Sequence, residues 1–565
     1  MRPISFCTAI LLLATAAVGQ TASVRVLYNF TVYDVNDAYY PVSGVLQAAN
    51  GNDYGLMNED GIFFALQPNG GFSEPTTLDP RSAYSYSDLI QGPDGDFYFT
   101  STGYYAADSC GGAGCGYIGR ITPTGLVTVL HSLGGTDGAS PLGPLTLGAD
   151  GNFYGTASQG GDASGCITGY RVPGCGTLFR ITPSGEFTVL YTFTGGADGG
   201  VPGMNLLQAS DGNFYGVTQA GGTGSCTGCG VAYQLTPGGK YTVVVDFPTP
   251  VIEQFEDYQS ELSEGKDGAL YGVGLNKIYK IAPGTGYSLV WQDPSNTNVI
   301  DSEGLFPASD GKLYGFDSGL FSLTTAGSVQ PFAGVSGTAV TQAADGGFLG
   351  VSPTLGANDN GFIYEVDDNP PLPAPVQLSL TPSTVSAGLP VEASLQVLNA
   401  FSVSMQQCYA FTTNNGVTTP LGKVPGMYNS QTKIYGANVA FTPTSAGTFN
   451  FAVTCGGIES GYAGLTVNAN ATTTTLSASS DTVTPPASDT LSATVTREVS
   501  GNPTGTVTFY DGALVVGTAP LENGTATLAA SSKNVPAGQY SITAKYSGDA
   551  GDDASTSNSV AVTVE

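Results

Sequence analysis

The sequence predicts an all-β protein with a seven-bladed β-propeller followed by two immunoglobulin-like (Ig-like) β-sandwiches. Three observations predict this fold. A turn motif built on Asp-Gly or Asn-Gly recurs seven times in the first two-thirds of the chain. A strand near the N-terminus resembles the strand that the last repeat lacks. Beyond residue 375 the composition changes to short alternating strands rich in Thr, Ser, Val and Ala, which is typical of β-sandwiches.

The chain begins with a segment typical of a secretory signal peptide. Arg2 supplies a positive charge, residues 10–14 are apolar, and Ala17 and Gly19 fit a cleavage site. The apolar stretch is too short to predict a membrane anchor. We therefore predict that residues 1–19 are a signal peptide, that the mature chain is exported, and that it carries no transmembrane anchor.

The charge balance restricts the partners of this chain. Its 45 acidic residues outnumber its 16 basic ones and leave a net charge of −29. A surface of this charge argues against binding to nucleic acid or to an anionic membrane. The 80 glycines and 34 prolines accompany ordinary hydrophobic and aromatic contents, which indicates many tight turns rather than disorder. We expect a monomer.

The recurring motif is predicted to form the first hairpin of each repeat, because both central positions of an Asp-Gly turn favour positive φ. In most copies a second hairpin follows, often with a Thr-Pro-x-Gly turn, so that each repeat supplies four antiparallel strands. A four-stranded repeat of this length is typical of a propeller blade. The seven copies are ANGNDYG (49–55), PDGDFYF (93–99), ADGNFYG (149–155), SDGNFYG (210–216), KDGALYG (266–272), SDGKLYG (309–315) and ADGGFLG (344–350).

The last repeat is incomplete. After GFIYEV (361–366) the chain becomes rich in proline, and no fourth strand follows. The missing strand has a counterpart at the N-terminus, where VRVLYNF (24–30) resembles the fourth strand FTVLYTF (187–193) of an internal repeat. We therefore predict that the N-terminal strand completes the seventh blade and closes a propeller over residues 20–367. An open array with an unpaired N-terminal strand is the alternative.

These repeats resemble the GloVer tandem-repeat family of exported bacterial proteins. The resemblance lies in the DGNFYG motif, the Gly-Gly loops, the RITPSG turn and the TVLYTF strand. It is strongest over residues 88–247 and weakens in the last three repeats. It implies export and a propeller-like array, and it implies no known activity.

The C-terminal third is predicted to contain two Ig-like domains, at residues 376–467 and 468–565, after a proline-rich linker at 368–375. The segments GTFNFAVTC (447–455) and PTGTVTFYDG (503–512) resemble bacterial Ig-like modules. The resemblance implies a spacer or an adhesion unit, and the fold alone assigns neither role.

Eight cysteines follow the predicted signal peptide, in four neighbouring pairs. An even number in an exported chain favours disulfides, and buried free thiols are the alternative. A zinc site is disfavoured because the chain has one histidine and the pairs lie far apart. We expect the last pair to join the two sheets of the first sandwich. The pairs are Cys110/Cys115, Cys166/Cys175, Cys226/Cys229 and Cys408/Cys455.

The candidate catalytic and metal-binding residues have structural explanations. His131 would have to act as the base of a catalytic triad, but it occupies the repeat position that Tyr28 and Tyr191 hold in other copies, which predicts a structural role. The aspartates of the Asp-Gly turns are explained by the turn itself. Calcium bound at these turns is the alternative, although the spacing of a dedicated calcium loop is absent.

The irregular loops are predicted to share one face of the propeller, because the tight turns all fall on the other. Three long loops, at residues 103–115, 160–175 and 221–229, each carry a cysteine pair. Tyrosines and carboxylates lie among these loops and the blade connections, and together they suit binding of a glycan or of a protein surface. The candidate binding residues are Tyr104, Tyr105, Asp137, Tyr170 and Asp198.

Three hypotheses about function follow from the sequence. The leading one is a non-enzymatic exported binding or adhesion protein that presents this loop face to an extracellular glycan or protein. The second is a polysaccharide hydrolase or lyase that uses carboxylates at the mouth of the propeller. The third is a structural component of an envelope or matrix. None of them predicts a cofactor.

Overall fold

Seven small antiparallel β-sheets and two β-sandwiches make up the protein in a computed structural model. We call the small sheets blades 1–7 in chain order. The structure describes residues 22–565, apart from 31–42, 58–60, 79–86, 103–109, 111–113, 162–165, 167–171, 225, 227, 250–260, 275–276, 283–285, 293–303, 317–318, 338, 353–360, 369–370 and 415–416.

Blades 1–6 are each built from consecutive strands, with the Asp-Gly or Asn-Gly turn joining the inner strand to the second. In blade 4 the inner strand is split into two segments. From inner to outer, the strands are Leu46–Gln47, Asp53–Met57, Ile62–Leu66 and Phe72–Thr77 in blade 1; Ile90–Gln91, Phe97–Ser101, Tyr117–Ile121 and Val127–Ser132 in blade 2; Thr146–Leu147, Phe153–Ala157, Thr177–Ile181 and Phe187–Thr192 in blade 3; Gly200–Pro202 with Leu207–Gln208, Phe214–Ala220, Val231–Leu235 and Tyr241–Asp246 in blade 4; Leu262–Glu264, Leu270–Gly274, Lys277–Ala282 and Gly286–Gln292 in blade 5; and Phe306–Pro307, Leu313–Phe316, Leu320–Leu323 and Val329–Ala333 in blade 6.

Blade 7 combines the two ends of the repeat region. Its first three strands are Val340–Gln342, Phe348–Ser352 and Phe362–Asp367, and its outer strand is Ser23–Asn29. The N-terminal strand runs antiparallel to the third strand, with Ser23 opposite Asp367 at one end and Asn29 opposite Phe362 at the other. The prediction that the N-terminal strand completes the last blade is confirmed.

Hydrogen bonds between neighbouring blades close these sheets into a propeller-like ring. A glutamine at the end of an inner strand accepts a backbone N–H from the preceding blade, as Gln91 does from Ala49 at 2.9 Å. Gln47 of blade 1 accepts the N–H of Ala344 in blade 7 at 2.9 Å, which joins the last blade to the first. The other junctions are bridged by Thr100 and Gly143, Gln208 and Ala149, Glu264 and Ser210, Ser263 and Leu305, and Gln342 and Ser309.

Each turn aspartate is held by its own hairpin. In blade 3 the Asp150 Oδ1 accepts the N–H of Asn152 at 3.1 Å, and the Asp150 Oδ2 accepts the hydroxyl of Tyr154 at 2.8 Å. The motif therefore places the tyrosine four residues after the aspartate, so that the strand that follows the turn supplies a hydrogen-bond donor to the turn carboxylate. The same tyrosine–aspartate bond joins Tyr98 to Asp94, Tyr215 to Asp211, Tyr271 to Asp267 and Tyr314 to Asp310.

Aromatic rings stack between the outer strands of neighbouring blades. The imidazole of His131 in blade 2 lies parallel to the ring of Phe187 in blade 3, with centroids 3.9 Å apart. This contact gives His131 the structural role that its repeat position predicts. Equivalent stacks join Tyr191 to Tyr241 and Tyr28 to Phe72.

Two sandwiches follow the ring. The first has one sheet of Val376–Thr381, Val391–Val397, Ile434–Phe441 and Gly426–Asn429, and a second sheet of Thr384–Ser386, Glu459–Asn468, Gly447–Cys455, Cys408–Asn414 and Val417–Val424, with a short 3₁₀ helix at Ser404–Gln406. The second has a sheet of Thr472–Ala478, Ser488–Arg497 and Thr525–Ser531, and another of Thr482–Val483, Val560–Val564, Gly538–Tyr546, Thr506–Asp511 and Leu514–Pro520, with Ser555–Thr556 beside the third of these.

The disulfide of the first sandwich differs from our expectation. Cys408 and Cys455 are bonded, but they lie opposite each other on neighbouring strands of one sheet. The prediction that this bridge joins the two sheets is therefore wrong. Both side chains point into the sandwich core, so the spacing along the chain could not distinguish a bridge between strands from a bridge between sheets.

The first sandwich packs against the face of the ring that carries the Asp-Gly turns. Alternate residues of its strand Cys408–Asn414 face opposite ways: Cys408 lies in the sandwich core, whereas Tyr409 and Phe411 join the apolar cluster of blades 2 and 3. The hydroxyl of Tyr462 also donates to the carbonyl of Ala48 at 2.5 Å. This face of the ring, which we call the turn face, is thus partly covered by the protein itself, while its turns at Asp94, Asp150 and Asp211 remain exposed.

The junction of blades 7 and 1 holds an unusual concentration of buried acid. Asp53 is only 7% exposed, and Glu365 pairs with Arg25 of the N-terminal strand. Burial raises the pKa of Asp53 to about 7 and that of Glu365 to about 7, and the charge of Asp345 adds to both shifts. Both carboxyls therefore hold protons in the folded chain at pH values where an unfolded chain has lost them.

We expect the ring to lose stability as the pH rises. In the unfolded chain these groups ionise near their ordinary values, whereas in the folded chain their protons persist to about pH 7, so the free energy of unfolding falls between roughly pH 4 and pH 7. Asp53→Asn removes one of the groups. Its Tm should exceed that of the unaltered protein by about 5 °C at pH 8 and match it at pH 4, measured by calorimetry.

A matched control is Glu392→Gln, which removes an exposed carboxyl of the first sandwich. This variant should retain the full decline of Tm with pH. An unaltered protein whose Tm is the same at pH 4 and pH 8 would contradict the pKa shifts at the junction.

Candidate functional site

The face opposite the turn face carries the long loops, and in blades 3 and 4 these loops interlock with the blade connections. The loop that leaves the second strand of one blade bonds to the connection that enters that blade. In blade 3 the N–H of Gly161 donates to the carbonyl of Gly135 at 2.7 Å, and in blade 4 the N–H of Gly222 donates to Gly196 at 2.9 Å. We call this surface, residues 133–140, 158–161, 172–176, 193–201, 219–224 and 228–230, the loop face.

The Gly-Gly sequences are required by this interlocking. A Cβ on Gly160 would lie 2.4 Å from the carbonyl oxygen of Gly135, and a Cβ on Gly221 would lie 2.6 Å from that of Gly196. Both glycines also have positive φ, at 75° and 80°. Any other residue at these positions would separate the loops of neighbouring blades.

Three disulfides hold the same loops. They join Cys110 to Cys115, Cys166 to Cys175 and Cys226 to Cys229, which are the neighbouring pairs of the sequence. In each pair the second cysteine is buried, at 1–5% exposure. The carbonyls of Cys115 and Cys175 accept the N–H groups of Ser140 and Val201 in the next connection, at 2.8 and 2.7 Å.

Ser140 and Val201 occupy equivalent positions on the loop face, and both have a left-handed backbone, with φ of 53° and 54°. This conformation is costly for a residue with a Cβ and rare for a β-branched one. The bonds to the bridged cysteines hold both residues in it. The loop face therefore consists of backbone that is fixed in position by its surroundings.

Asp137 and Asp198, predicted as binding residues, stabilise this backbone. The Asp137 carboxylate accepts the N–H of Gly134 at 2.6 Å and contacts the His131 Nε2 at 2.8 Å. Burial works against its ionisation, but these bonds outweigh burial and hold the pKa of Asp137 below its usual value. The Asp198 carboxylate accepts the hydroxyl of Tyr191 at 2.9 Å and the N–H of Thr194 at 2.9 Å.

The two aspartates thus lie at equivalent places in consecutive connections instead of converging on one point. Tyr104, Tyr105 and Tyr170, the other predicted binding residues, lie outside the described residues. The repeat pattern could have indicated the role of the aspartates, since GGTDG (134–138) and GGADG (195–199) place them alike.

A cavity of about 200 Å³ lies at the centre of the ring. Its wall is formed by the inner strands, mainly by their aliphatic side chains, and its end on the turn face is formed by the first sandwich through Phe401, Met405 and Glu459. The lining also includes three carboxyl groups of the ring, from Asp88, Glu261 and Glu264.

Comparison with known families identifies the repeats. The model of the Gloeobacter/Verrucomicrobia repeat matches residues 104–320. Residues 104–320 are a Gloeobacter/Verrucomicrobia repeat region. The resemblance to the GloVer repeats is confirmed, and the matched part of the repeat region holds all three disulfide-bridged loops. A model of the bacterial Ig-like domain, group 3, matches residues 475–565, so the last sandwich is a bacterial Ig-like domain.

Solved structures similar to this chain include a catalytically inactive virginiamycin B lyase from Staphylococcus aureus with quinupristin, at 15% identity and a TM-score of 0.42, which covers 61% of this chain and 99% of the lyase. A Bacteroides thetaiotaomicron protein of unknown function has 15% identity and a TM-score of 0.34, covering 62% of this chain and 77% of its own. The Yersinia pseudotuberculosis adhesin InvE has 15% identity and a TM-score of 0.23, over 34% and 58%.

These TM-scores are low, so the arrangement of the repeat region rests on its own strand pairing. No curated protein matches the chain. Within the described residues there is no group of three or more His, Cys, Asp or Glu side chains placed to hold a metal ion. None of the described helices is both long enough and apolar enough to span a membrane.

The carboxyl groups in the cavity of the repeat region were missed in the sequence. Glu264 stands where the inner strands of four other blades have Gln47, Gln91, Gln208 and Gln342, so the repeat pattern does reveal a departure there. Burial raises the pKa of Glu264 although it accepts two bonds from Ser210. Glu459 comes from another domain, and no repeat pattern could have placed it in the cavity.

Proposed function

We propose that this chain is an exported surface protein that binds an extracellular glycan or protein through the loop face of its repeat region. The observation that carries the proposal is the difference in packing between the two faces of the ring. The first sandwich packs on the turn face, whereas the loop face exposes residues held on ordered backbone, among them Thr136, Thr194 and Thr223.

The stiffness of the loop face supports a role in binding. Three disulfides, the Gly-Gly contacts and two aspartate-held connections leave this backbone little conformational freedom to lose when it binds a partner. A surface that is already ordered binds more tightly than a mobile one with the same contacts. The exposed Thr136 and Thr223 suit hydrogen bonding to a glycan or to a protein surface.

The C-terminal region supports a location at the cell surface. The last sandwich is a bacterial Ig-like domain, and the eight paired cysteines suit an oxidising compartment outside the cytosol. In this proposal residues 1–19 direct export. The first sandwich holds the ring from its turn face and leaves the loop face pointing away from the Ig-like region.

Glycan and protein arrays probed with the full chain test this proposal. We expect at least one ligand, and we expect replacement of both Cys166 and Cys175 by Ser to weaken its binding about tenfold, because the loop then loses order before it binds. Leu126→Ser is the control, since Leu126 is 67% exposed on the opposite face. The absence of any ligand on broad arrays would contradict the proposal. Equal binding by the double cysteine variant and by Leu126→Ser would also contradict it.

Turnover of the ligand separates binding from catalysis. A hydrolase or lyase that uses the carboxyls of the central cavity would release reducing ends or unsaturated products from a polysaccharide, and Glu264→Gln would lower that rate. If the unaltered chain forms such products and the Glu264→Gln variant does not, the protein is an enzyme and the binding proposal is wrong.

A further inference from the structure

The central cavity has the chemistry of a separate small-molecule site. Equivalent inner-strand residues of five consecutive blades supply its aliphatic wall: Leu145, Leu206, Leu262, Leu305 and Val340. All of these side chains are at least 97% buried. The cavity volume of about 200 Å³ somewhat exceeds the roughly 150 Å³ that admits a benzene molecule in an apolar protein interior.

Every charged side chain that lines the cavity among the described residues is acidic. Asp88 and Glu261 lie just before inner strands, at the end toward the loop face. Glu264 and Glu459 lie nearer the turn face. A cavity with mainly aliphatic walls, whose charged groups in the described part of the chain are all carboxyls, disfavours anions and suits a ligand with an apolar body and a positive charge.

Glu459 differs from Asp88 and Glu264, whose carboxyl groups accept hydrogen bonds from the protein. The Asp88 Oδ1 accepts the N–H of Gly44 at 2.5 Å, and both oxygens of Glu264 accept hydrogen bonds from Ser210. The Glu459 Oε2 is buried with no hydrogen-bond partner in the described part of the chain, and the residue is 92% buried. A buried polar atom without a partner costs free energy, which a ligand that donates a hydrogen bond would recover.

We propose that the central cavity binds a small apolar amine, with its hydrocarbon body between the inner strands and its ammonium group on Glu459. Burial raises the pKa of Glu459 to about 8, so the carboxyl holds a proton in the unliganded protein, and an ammonium group beside it favours the carboxylate. Because the first sandwich supplies Glu459, the site exists only while that domain is docked on the ring.

The site is independent of the loop-face proposal, and a set of three probes of similar size tests it on the full chain. Benzylamine, benzyl alcohol and benzoate have the same ring and differ in charge. By calorimetric titration in 0.15 M salt, which screens the acidic surface, we expect benzylamine to bind at least about tenfold more tightly than benzyl alcohol, and benzoate not to bind.

Two variants test whether the probes bind in the cavity. Glu459→Gln should remove the preference for the amine and leave the affinity for benzyl alcohol within about twofold. Ala339→Leu, which adds volume at the cavity wall, should abolish binding of both probes. Glu392→Gln, at an exposed site of the same sandwich, should change neither.

Each other outcome overturns the proposal. Equal binding of benzylamine and benzyl alcohol would show that the cavity does not recognise charge. Undiminished amine binding by both Glu459→Gln and Ala339→Leu would place the amine on the acidic surface. An absence of saturation at millimolar benzylamine would exclude the site. The comparison of probes on the unaltered chain decides the question even if Glu459→Gln does not fold.

Discussion

Removal of the N-terminal strand is expected to open the ring and to lower its Tm by at least about 10 °C. A chain that begins at residue 31 lacks the outer strand of blade 7, so the third strand Phe362–Asp367, which is almost wholly buried, becomes an exposed edge. It also lacks Phe30, whose ring is 4% exposed and contacts Phe64 and Phe72 of blade 1.

Two point variants separate the contribution of the Phe30 ring from that of the strand pairing. Phe30→Ala keeps the strand but removes a buried ring, which typically costs about 3–5 kcal/mol, or about 2–4 °C of Tm per kcal/mol in a domain of this size. Val26→Thr changes a side chain that is 46% exposed on the same strand, and its effect should stay within about 0.5 kcal/mol.

Calorimetry and hydrogen exchange are the measurements. In the chain that begins at residue 31, the amides of Phe362–Asp367 should exchange faster than in a chain that begins at Ala22, while the amides of the last sandwich should not change. Equal Tm values and equal protection in the two chains would show that the ring does not depend on this strand.

Loosening the first sandwich from the turn face should have the second large effect. Phe411 is fully buried, and its ring lies against the Asp-Gly turn of blade 2, where a Cβ on Gly95 would be 3.5 Å from the Phe411 Cε1. Phe411→Ala should lower the free energy of unfolding by about 3–5 kcal/mol. It should also separate the unfolding of the ring from that of the first sandwich, which we expect to coincide in the unaltered chain.

The control is a phenylalanine of the same domain that does not contact the ring. Phe451 is also fully buried, but it lies in the core of the sandwich. Phe451→Ala should destabilise the sandwich without increasing hydrogen exchange at Ala49 and Gln91 of the turn face, whereas Phe411→Ala should increase it. Identical exchange in the two variants would mean that the docking contact has little energetic weight.

Two glycines provide a steric test of the same contact. A Cβ on Gly457 would lie 2.4 Å from the Ile90 Cγ1 and 2.7 Å from the Gln91 carbonyl oxygen, whereas a Cβ on Gly422 would meet nothing within 4 Å. Both glycines have positive φ, so alanine causes backbone strain at either. The additional loss in Gly457→Ala, about 1–3 kcal/mol, measures the clash with the ring alone.

The repeats show why local sequence predicted so much of this fold. A hairpin depends on neighbouring residues: Asp150 and Gly151 form the turn, and Tyr154 four positions later bonds to that aspartate. The N-terminal strand was placed in the last blade because residues 24–30 repeat the side-chain order of an outer strand. The pattern also explained His131, whose ring stacks where other blades place tyrosine.

The candidate sites were less accessible to prediction. Asp137 stays a predicted binding residue, and what the sequence did not show is that its carboxylate bonds to Gly134 and His131. The bridge between Cys408 and Cys455 was expected between sheets and lies within one. In both cases the bonding partner depended on the direction of a side chain, which the position along the chain does not reveal.

The sequence by itself determined the number of repeats, the four strands of each repeat, and the N-terminal strand that closes the ring, because turn chemistry and two-residue alternation act between near neighbours. Only the tertiary structure decided which face remains open and what lines the central cavity. Those features depend on contacts such as Phe411 with the turn of blade 2, and on Glu459 reaching the inner strands of the ring. Such contacts join residues hundreds of positions apart, and they form only when two separately folded surfaces fit each other.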